Sequence, residues 1–397
     1  MRNRPIAVTA VAVTAALLPA LMPALPAAAR LGSTWVVGPD FVRPLGATGA
    51  EWRDVSATGP ADVWAVGAVR DPADNPLTAH WDGRSWTAVS LPKSPTVLRY
   101  DLTAVDAVAP GDVWAVGSES TTRTMLVMHY DGAWTTTAMP EQPAGQTSEL
   151  ADIDVSATDG WAVGHTAAVG KPTRALIERR YGAGWIQVAA PATDATETEL
   201  SAVSARTADD VWAVGSQVRV DGRRTGLILH WDGGSWREWA VPQVGDPDEA
   251  AFLVSVSAST AGDAWAAGRL CRTGNGFPTC RALALHRSGG AWTPSPTAGG
   301  ETELTEVLAL SPVDVWVVGY AGNTPTLETD YAEHWDGKVF TPDATIPSTP
   351  DGGATNGELA SALSAATAIP GTGGIWAVGW TGDPVSGGTH VVHRDRG

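Results

Sequence analysis

The chain is predicted to be an all-β protein, a seven-bladed β-propeller of four-stranded antiparallel blades with the last blade closed by the N-terminal strand. Three observations predict it. The phrase Val-Trp-Ala-Val-Gly, or a near copy, occurs seven times, centred on Trp64, Trp114, Trp161, Trp212, Trp265, Trp316 and Trp376 at spacings of 50, 47, 51, 53, 51 and 60 residues. A companion phrase follows: His-Trp-Asp-Gly at 80–83, 230–233 and 334–337, and His-Tyr-Asp-Gly at 129–132, with a further tryptophan such as Trp86, Trp134 or Trp236 shortly after. A period near 50 residues, rich in strand formers and tight turns, is the signature of a propeller. The third observation is that the two chain ends carry complementary fragments of one repeat.

The second repeat reads most clearly. Leu102-Thr-Ala-Val-Asp-Ala-Val108 forms a first strand, ended by Pro110-Gly111. Asp112-Val-Trp-Ala-Val-Gly117 forms the second, with Val113 and Ala115 on one side and Trp114 and Val116 on the other. Both sides are apolar, as stacking between neighbouring blades requires. Met125-Leu-Val-Met-His-Tyr130 is the third strand, and Asp131-Gly132 supplies a turn that tolerates positive φ. Trp134 opens a short fourth strand.

The same template places the other first strands near Trp52, Leu150, Leu200, Leu253, Leu304 and Leu359. In the seventh repeat the stretch 367–374 reads as the lengthened connection behind the 60-residue gap. Arg179-Arg180 and His286-Arg287 depart from His-Trp in repeats three and five. The chain stops at 393–397, after a third strand and its turn, while Gly32-Ser-Thr-Trp-Val-Val-Gly-Pro39 looks like a fourth strand with no blade of its own. Joining the two closes the ring and removes an open sheet edge.

Residues 1–29 stand apart. Arg2 and Arg4 precede an uncharged apolar run, and Ala27-Ala28-Ala29 offers small residues for cleavage, so the segment reads as a secretory signal peptide. One domain, residues 30–397, remains. Without Arg2 and Arg4 it has 24 basic against 43 acidic residues, a net charge of −19. That charge repels nucleic acid and suits a soluble exported chain. No later apolar run is long enough to span a membrane. Cys271 and Cys280, on a connection holding two glycines and a proline, read as a local disulfide closing a loop.

With the strand order in hand, the chain resembles the seven-bladed propeller superfamily of WD-repeat, kelch and bacterial secreted propellers. It is most similar to actinobacterial secreted repeat proteins carrying Asp-Val-Trp-Ala-Val-Gly and His-Trp-Asp-Gly. The resemblance covers about residues 32–397 and implies a fold more than an activity. It implies that the first strand lines the central channel and that loops joining strands two and three share a face with the blade-joining loops. The WD-repeat Gly-His and Trp-Asp elements stand in another register, and the kelch double glycine is absent.

Candidate chemistry is sparse. Six of the eight histidines, His80, His129, His230, His286, His334 and His393, share one repeat position. A ring holds such positions apart, so they read as structural, bonded to the Asp before a core tryptophan, Asp62, Asp112, Asp210, Asp263 or Asp314. The residue before the first strand is acidic in six repeats, Glu51, Asp101, Glu149, Glu199, Glu303 and Glu358, with Phe252 in the fifth. These carboxylates would ring the channel mouth and draw a cationic ligand, with calcium as the candidate ion. The variable loops at 217–226, 270–279, 321–331 and 381–389 open on the same face. Arg223, Arg224, Phe277, Tyr320, Tyr331 and Trp380 lie on or beside them as candidate binding residues.

No nucleophile elbow, zinc-binding histidine pair or phosphate loop appears, and no catalytic residue or organic cofactor is assigned. The expectation is a secreted, monomeric, non-catalytic binding or scaffold module. Its partner would be an extracellular glycan, cell-wall polymer or protein. A secreted glycoside hydrolase or lyase using rim carboxylates is the first alternative, and a structural cell-surface protein the second.

Overall fold

Each Val-Trp-Ala-Val-Gly phrase forms the second strand of a four-stranded antiparallel sheet, and seven such sheets make the ring. The computed structural model describes residues 34–39, 41, 49–70, 75–92, 99–182, 184–272, 278–322, 328–347, 360–382 and 387–395. The expected leader, 1–29, lies outside them. Blade two comprises Tyr100–Ala109, Asp112–Glu119, Met125–Tyr130 and Trp134–Thr136, with the sheet order following the chain order. Blades one and three to six repeat this order. Blade seven takes Ser361–Ile369, Gly374–Thr381 and Gly388–Arg394 from the C-terminal end and Trp35–Val37 from the N-terminal end. Trp35 pairs with Arg394 and Val37 with Val392, so the predicted closure is present.

The core lies in the seams between blades. Val113 and Ala115 pack toward blade one, while Trp114 and Val116 pack toward blade three. Each core tryptophan meets the fourth-strand aromatic of the next blade edge-on or nearly so. The ring centroids are 5.8 Å apart for Trp64–Trp134, 6.0 Å for Trp114–Trp185, 5.1 Å for Trp161–Trp236 and 5.3 Å for Trp212–Trp292. The series continues with Trp265–Phe340 at 5.3 Å, Trp316–Trp35 at 5.8 Å and Trp376–Trp86 at 5.6 Å. Trp35 thus fills in blade seven the place that Trp86 fills in blade one.

The companion phrase explains itself in the same seams. His129 stacks on Trp114 with centroids 4.1 Å apart, and its Nε2 lies 2.8 Å from Asp112 Oδ1. His80, His230, His286 and His334 reach Asp62, Asp210, Asp263 and Asp314 in the same way, at 2.7–2.8 Å. The following residue, from the next blade, covers the other side of the tryptophan. It is Tyr130 on Trp64, Trp231 on Trp161 and Trp335 on Trp265. The irregular repeats obey the same rule. Arg180 lies 4.6 Å over Trp114 and Arg287 5.0 Å over Trp212, so a cation–π contact replaces ring stacking. Arg179 replaces the histidine of blade three and pairs bidentately with Asp159, at 3.1 and 2.7 Å.

Three expectations need correction. The first strands begin two to four residues earlier than Trp52, Leu102, Leu150, Leu200, Leu253 and Leu304, because pairing runs on past the apolar start. In blade seven, Leu363 and not Leu359 holds the register of Leu304, and the turn after Ile369 is only two residues longer than those after Ala109 or Ser311. Most of the extra length therefore precedes the blade. Cys271 and Cys280 are not on a loop but directly opposed in paired strands, Asp263–Arg272 and Thr279–Ser288, where they form the disulfide.

Candidate functional site

The seven first strands line a channel with a cavity volume of about 420 Å³. Each strand is bulged just after the residue that faces the glycine of Val-Trp-Ala-Val-Gly, for example between Leu102 and Ala104. The glycine is what allows this. A Cβ on Gly117 would stand 1.9 Å from the Asp101 carbonyl oxygen, and one on Gly215 would stand 2.1 Å from that of Glu199.

Past the bulge, channel-facing side chains accept hydrogen bonds from backbone N–H groups of the next blade. Asp54 accepts from Val105 N at 2.7 Å, Asp152 from Val203 N at 2.8 Å and Ser255 from Val307 N at 3.0 Å. Two residues further on, Ser56, Asp106, Asp154 and Ser257 accept from Ala107, Val155, Ala205 and Ala309. Burial pushes these carboxyls up, Asp106 to about 6, Asp152 to about 7 and Glu306 to about 8. The interior of the channel is therefore a set of interblade staples.

The mouth is the level of the expected acidic ring. Across the first two strands the opposed pairs are Glu51/Ala68, Asp101/Ser118, Glu149/His165, Glu199/Ser216, Phe252/Arg269, Glu303/Tyr320 and Ala362/Trp380. Ala362 occupies the seventh position, and Glu358 lies outside the described residues. The described carboxylates of the ring each meet an arginine. Arg53 reaches Glu51 at 3.2 Å and also pairs with Asp101. Arg123 meets Glu149 at 2.9 Å, Arg224 meets Glu199 at 2.9 Å and Arg269 meets Glu303 at 3.3 Å. Among the described residues no group of three or more His, Cys, Asp or Glu side chains is arranged to hold a metal ion.

The mouth is lopsided. Blades one, two and four present Ala68, Ser118 and Ser216 and blade three His165, whereas blades five to seven present Arg269, Tyr320 and Trp380 in succession. Arg224 and Arg269 lie 5.5 and 5.4 Å over the Phe252 ring. Tyr320 donates its hydroxyl to Glu303, and burial together with the Glu303 charge raises its pKa. Glu328, half-buried at the head of the third strand of blade six, is pushed up to about 7 by burial and then by Glu303.

The three aromatic candidates do not share a cleft. Tyr320 follows Trp316 and Val318 on the side facing blade seven, and Trp380 follows Trp376 and Val378 on the side facing blade one. Tyr331 packs into the seam toward blade five and hydrogen-bonds Glu333. Arg223 sits in the turn of the blade-four hairpin, where its backbone N–H meets Asp221, and Phe277 lies outside the described residues.

Repeat spacing does not reveal the channel staples, Glu328 or the buried pair formed by Asp330 and His390. The staples were legible as Asp or Ser two and four residues after the first-strand anchor. His390 was legible as a histidine outside the repeat position.

These residues define a protein of one class, a closed seven-bladed β-propeller with a polar channel and an irregular mouth. Among solved structures the chain is similar to YCF48 bound to D1 peptide, with a TM-score of 0.53 and 15% identity over 92% of this chain and 98% of that one. It is similar also to YCF48 from Cyanidioschyzon merolae, at TM-score 0.51 and 12% identity over 91% and 99% of the two chains. A PL25 polysaccharide lyase, an ulvan lyase bound to -[GlcA(1-4)Rha3S]-, gives TM-score 0.52 and 11% identity over 88% and 95%. Identities this low establish a common fold. No protein-family model matches the chain, and no curated protein sequence does.

Proposed function

We propose that this propeller is exported and recognises an extracellular glycan, without catalysis, at the channel mouth on its variable-loop face. The observation that carries the reading is the lopsided mouth. A repeat that needed only to close its ring has no use for Arg269, Tyr320 and Trp380 in three successive blades, where blades one, two and four carry Ala68, Ser118 and Ser216 and blade three carries His165. Departures from a repeat's own rule concentrate where function is served. Aromatic faces beside carboxylates and arginines suit a polyhydroxylated ring, which stacks and hydrogen-bonds at once. The Cys271–Cys280 disulfide and the leader-like residues 1–29 support export, and the repeat phrases support kinship with actinobacterial secreted propellers.

A glycan-array and cell-wall binding screen of residues 30–397 tests the reading. Binding is expected to weaken on Tyr320→Ala or Trp380→Ala. Binding that survives both substitutions places recognition elsewhere. The second reading is a glycan-cleaving enzyme, favoured by Glu303 and Glu328, two neighbouring carboxyls in different environments. Turnover on a polysaccharide panel would decide for it. Binding of a peptide with no glycan binding would move the assignment to a protein partner.

A further inference from the structure

The seam between blades six and seven holds a buried pair of ionisable side chains. At the register of Leu77, Leu126, Leu176, Leu227 and Leu283, which faces the preceding blade, blade seven carries His390, while Tyr331 of blade six faces blade five. Asp330 stands where other blades place Pro76, Met125, Ala175, Gly226, Ala282 and Thr389. His390 Nε2 lies 2.6 Å from Asp330 Oδ2, the two side chains are 2% and 0% exposed, and Asp330 Oδ1 has no hydrogen-bond partner. A buried ionisable pair with an unsatisfied oxygen is a poor substitute for leucine packing. It does, however, bring polar groups to the level of the mouth.

On that level stand Glu303 and Tyr320, opposed to one another and to Asp330, with Glu328 two residues before Asp330 in the chain. Ser361 of blade seven donates its N–H to the Glu328 carbonyl at 2.9 Å, which fixes the head of the strand against the next blade. Glu303 is occupied by Arg269 and by the Tyr320 hydroxyl. Among the described residues the Glu328 carboxylate has no hydrogen-bond or ion-pair partner, although a second carboxylate stands beside it. A half-buried acid in that position lacks a counter-charge, and a ligand can supply one.

We propose that the seam between blades six and seven binds an ammonium-bearing saccharide, a de-N-acetylated amino sugar, with Glu328 as the counter-charge, Glu303 beside it and the Tyr320 ring as a wall. The inference rests on the glycan reading above and names the ligand class of that site. An acetamido group at the same place brings no charge and leaves Glu328 uncompensated. At mildly acidic pH Glu328 holds a proton in the free protein. Docking of the ammonium ionises it, and the proton passes to solvent.

Isothermal titration of residues 30–397 with glucosamine oligomers and with N-acetylglucosamine oligomers of equal length tests this. The amino form is expected to bind about tenfold tighter or more, the range of a charge-assisted pair. Repeating the titration near pH 6 in buffers of different ionisation enthalpy should show proton release. Glu328→Gln should abolish both the preference and the proton release while its Tm stays near that of the parent. Glu303→Gln should reduce the preference, which guards against a misfolded first variant. Equal affinity for the two oligomers overturns the ammonium assignment and leaves glycan recognition standing. Binding of neither these nor other glycans overturns both. A preference kept in Glu328→Gln and Glu303→Gln removes the site from this seam.

Discussion

Glu178 shows what one residue does when its repeat position is apolar. It holds the register of Met128, Leu229 and Leu285, follows Leu176 into the seam with blade two, and is fully buried. Neither carboxylate oxygen has a partner, and burial pushes the group up to about 8. Glu333, at the same position in blade six, accepts from Ala298 N, Gly299 N and the Tyr331 hydroxyl. Counted from the fourth-strand aromatic, the residue that matches Ala298 in blade two is Pro140, which has no N–H to give. A carboxyl whose folded pKa is raised contributes its stability at low pH and loses it as pH rises through the folded value. Glu178→Met is therefore expected to stabilise by about 1–3 kcal/mol, with the larger gain at pH 9 than at pH 5. Denaturant midpoints of the two proteins at both pH values check it, and a gain independent of pH contradicts it.

At the scale of the element, the unit is the second strand with its third-strand partner. In blade two, Asp112 Oδ1 accepts from Trp114 Nε1 at 3.1 Å and contacts His129 Nε2 at 2.8 Å, so one carboxylate fixes both faces of the stacked rings. Asp112→Ala is expected to cost about 1–3 kcal/mol through two unsatisfied partners. Urea unfolding would reveal a stable variant if the network were ornamental. The disulfide acts at the same scale, since it ties two directly paired strands at the outer end of the blade-five hairpin.

At the scale of the molecule, closure and the channel set the behaviour. Trp35 is 3% exposed against Trp316 and is the only fourth-strand aromatic that comes from the far end of the chain. Deleting residues 31–39 removes it and opens blade seven, so a loss of at least about 3–5 kcal/mol, the range for truncating a buried tryptophan, is expected. An unchanged Tm would reject the closure. The channel predicts a pH profile. Asp106, Asp152 and Glu306, pushed up to about 6, 7 and 8, hold protons in the folded ring that the unfolded chain releases at lower pH. Their contribution is complete below the ordinary carboxylate range and is lost as pH rises through those values. Thermal stability should thus be greatest near pH 5 and fall steadily toward pH 9. Asp82, Asp232 and Asp336, held low by backbone N–H groups of their turns, act only at the acid end. A flat Tm profile between pH 5 and 9 would show that the channel carboxyls ionise as freely as they do in water.

Seven blades, their strand order, the closing strand and the Asp partners of five repeat histidines are legible in the sequence alone. All of these depend on local periodicity and on residues that recur because each blade needs them. The sequence also marked Glu303 and Tyr320, through a position counted from the repeat. The folded ring, not the spacing, puts Arg180 and Arg287 in the place of stacked rings, since that contact crosses from one blade to the next. It alone decided that Arg53, Arg123, Arg224 and Arg269 occupy the ring of carboxylates, and that Tyr320, Tyr331 and Trp380 face three different seams. The blade-seven register and the isolation of Glu328 beside Glu303 were likewise out of reach of spacing. Strand alternation assigns a side chain to a face, but the seam it meets is built by a blade some fifty residues away, and charge, burial and unsatisfied oxygens arise only when the two are brought together.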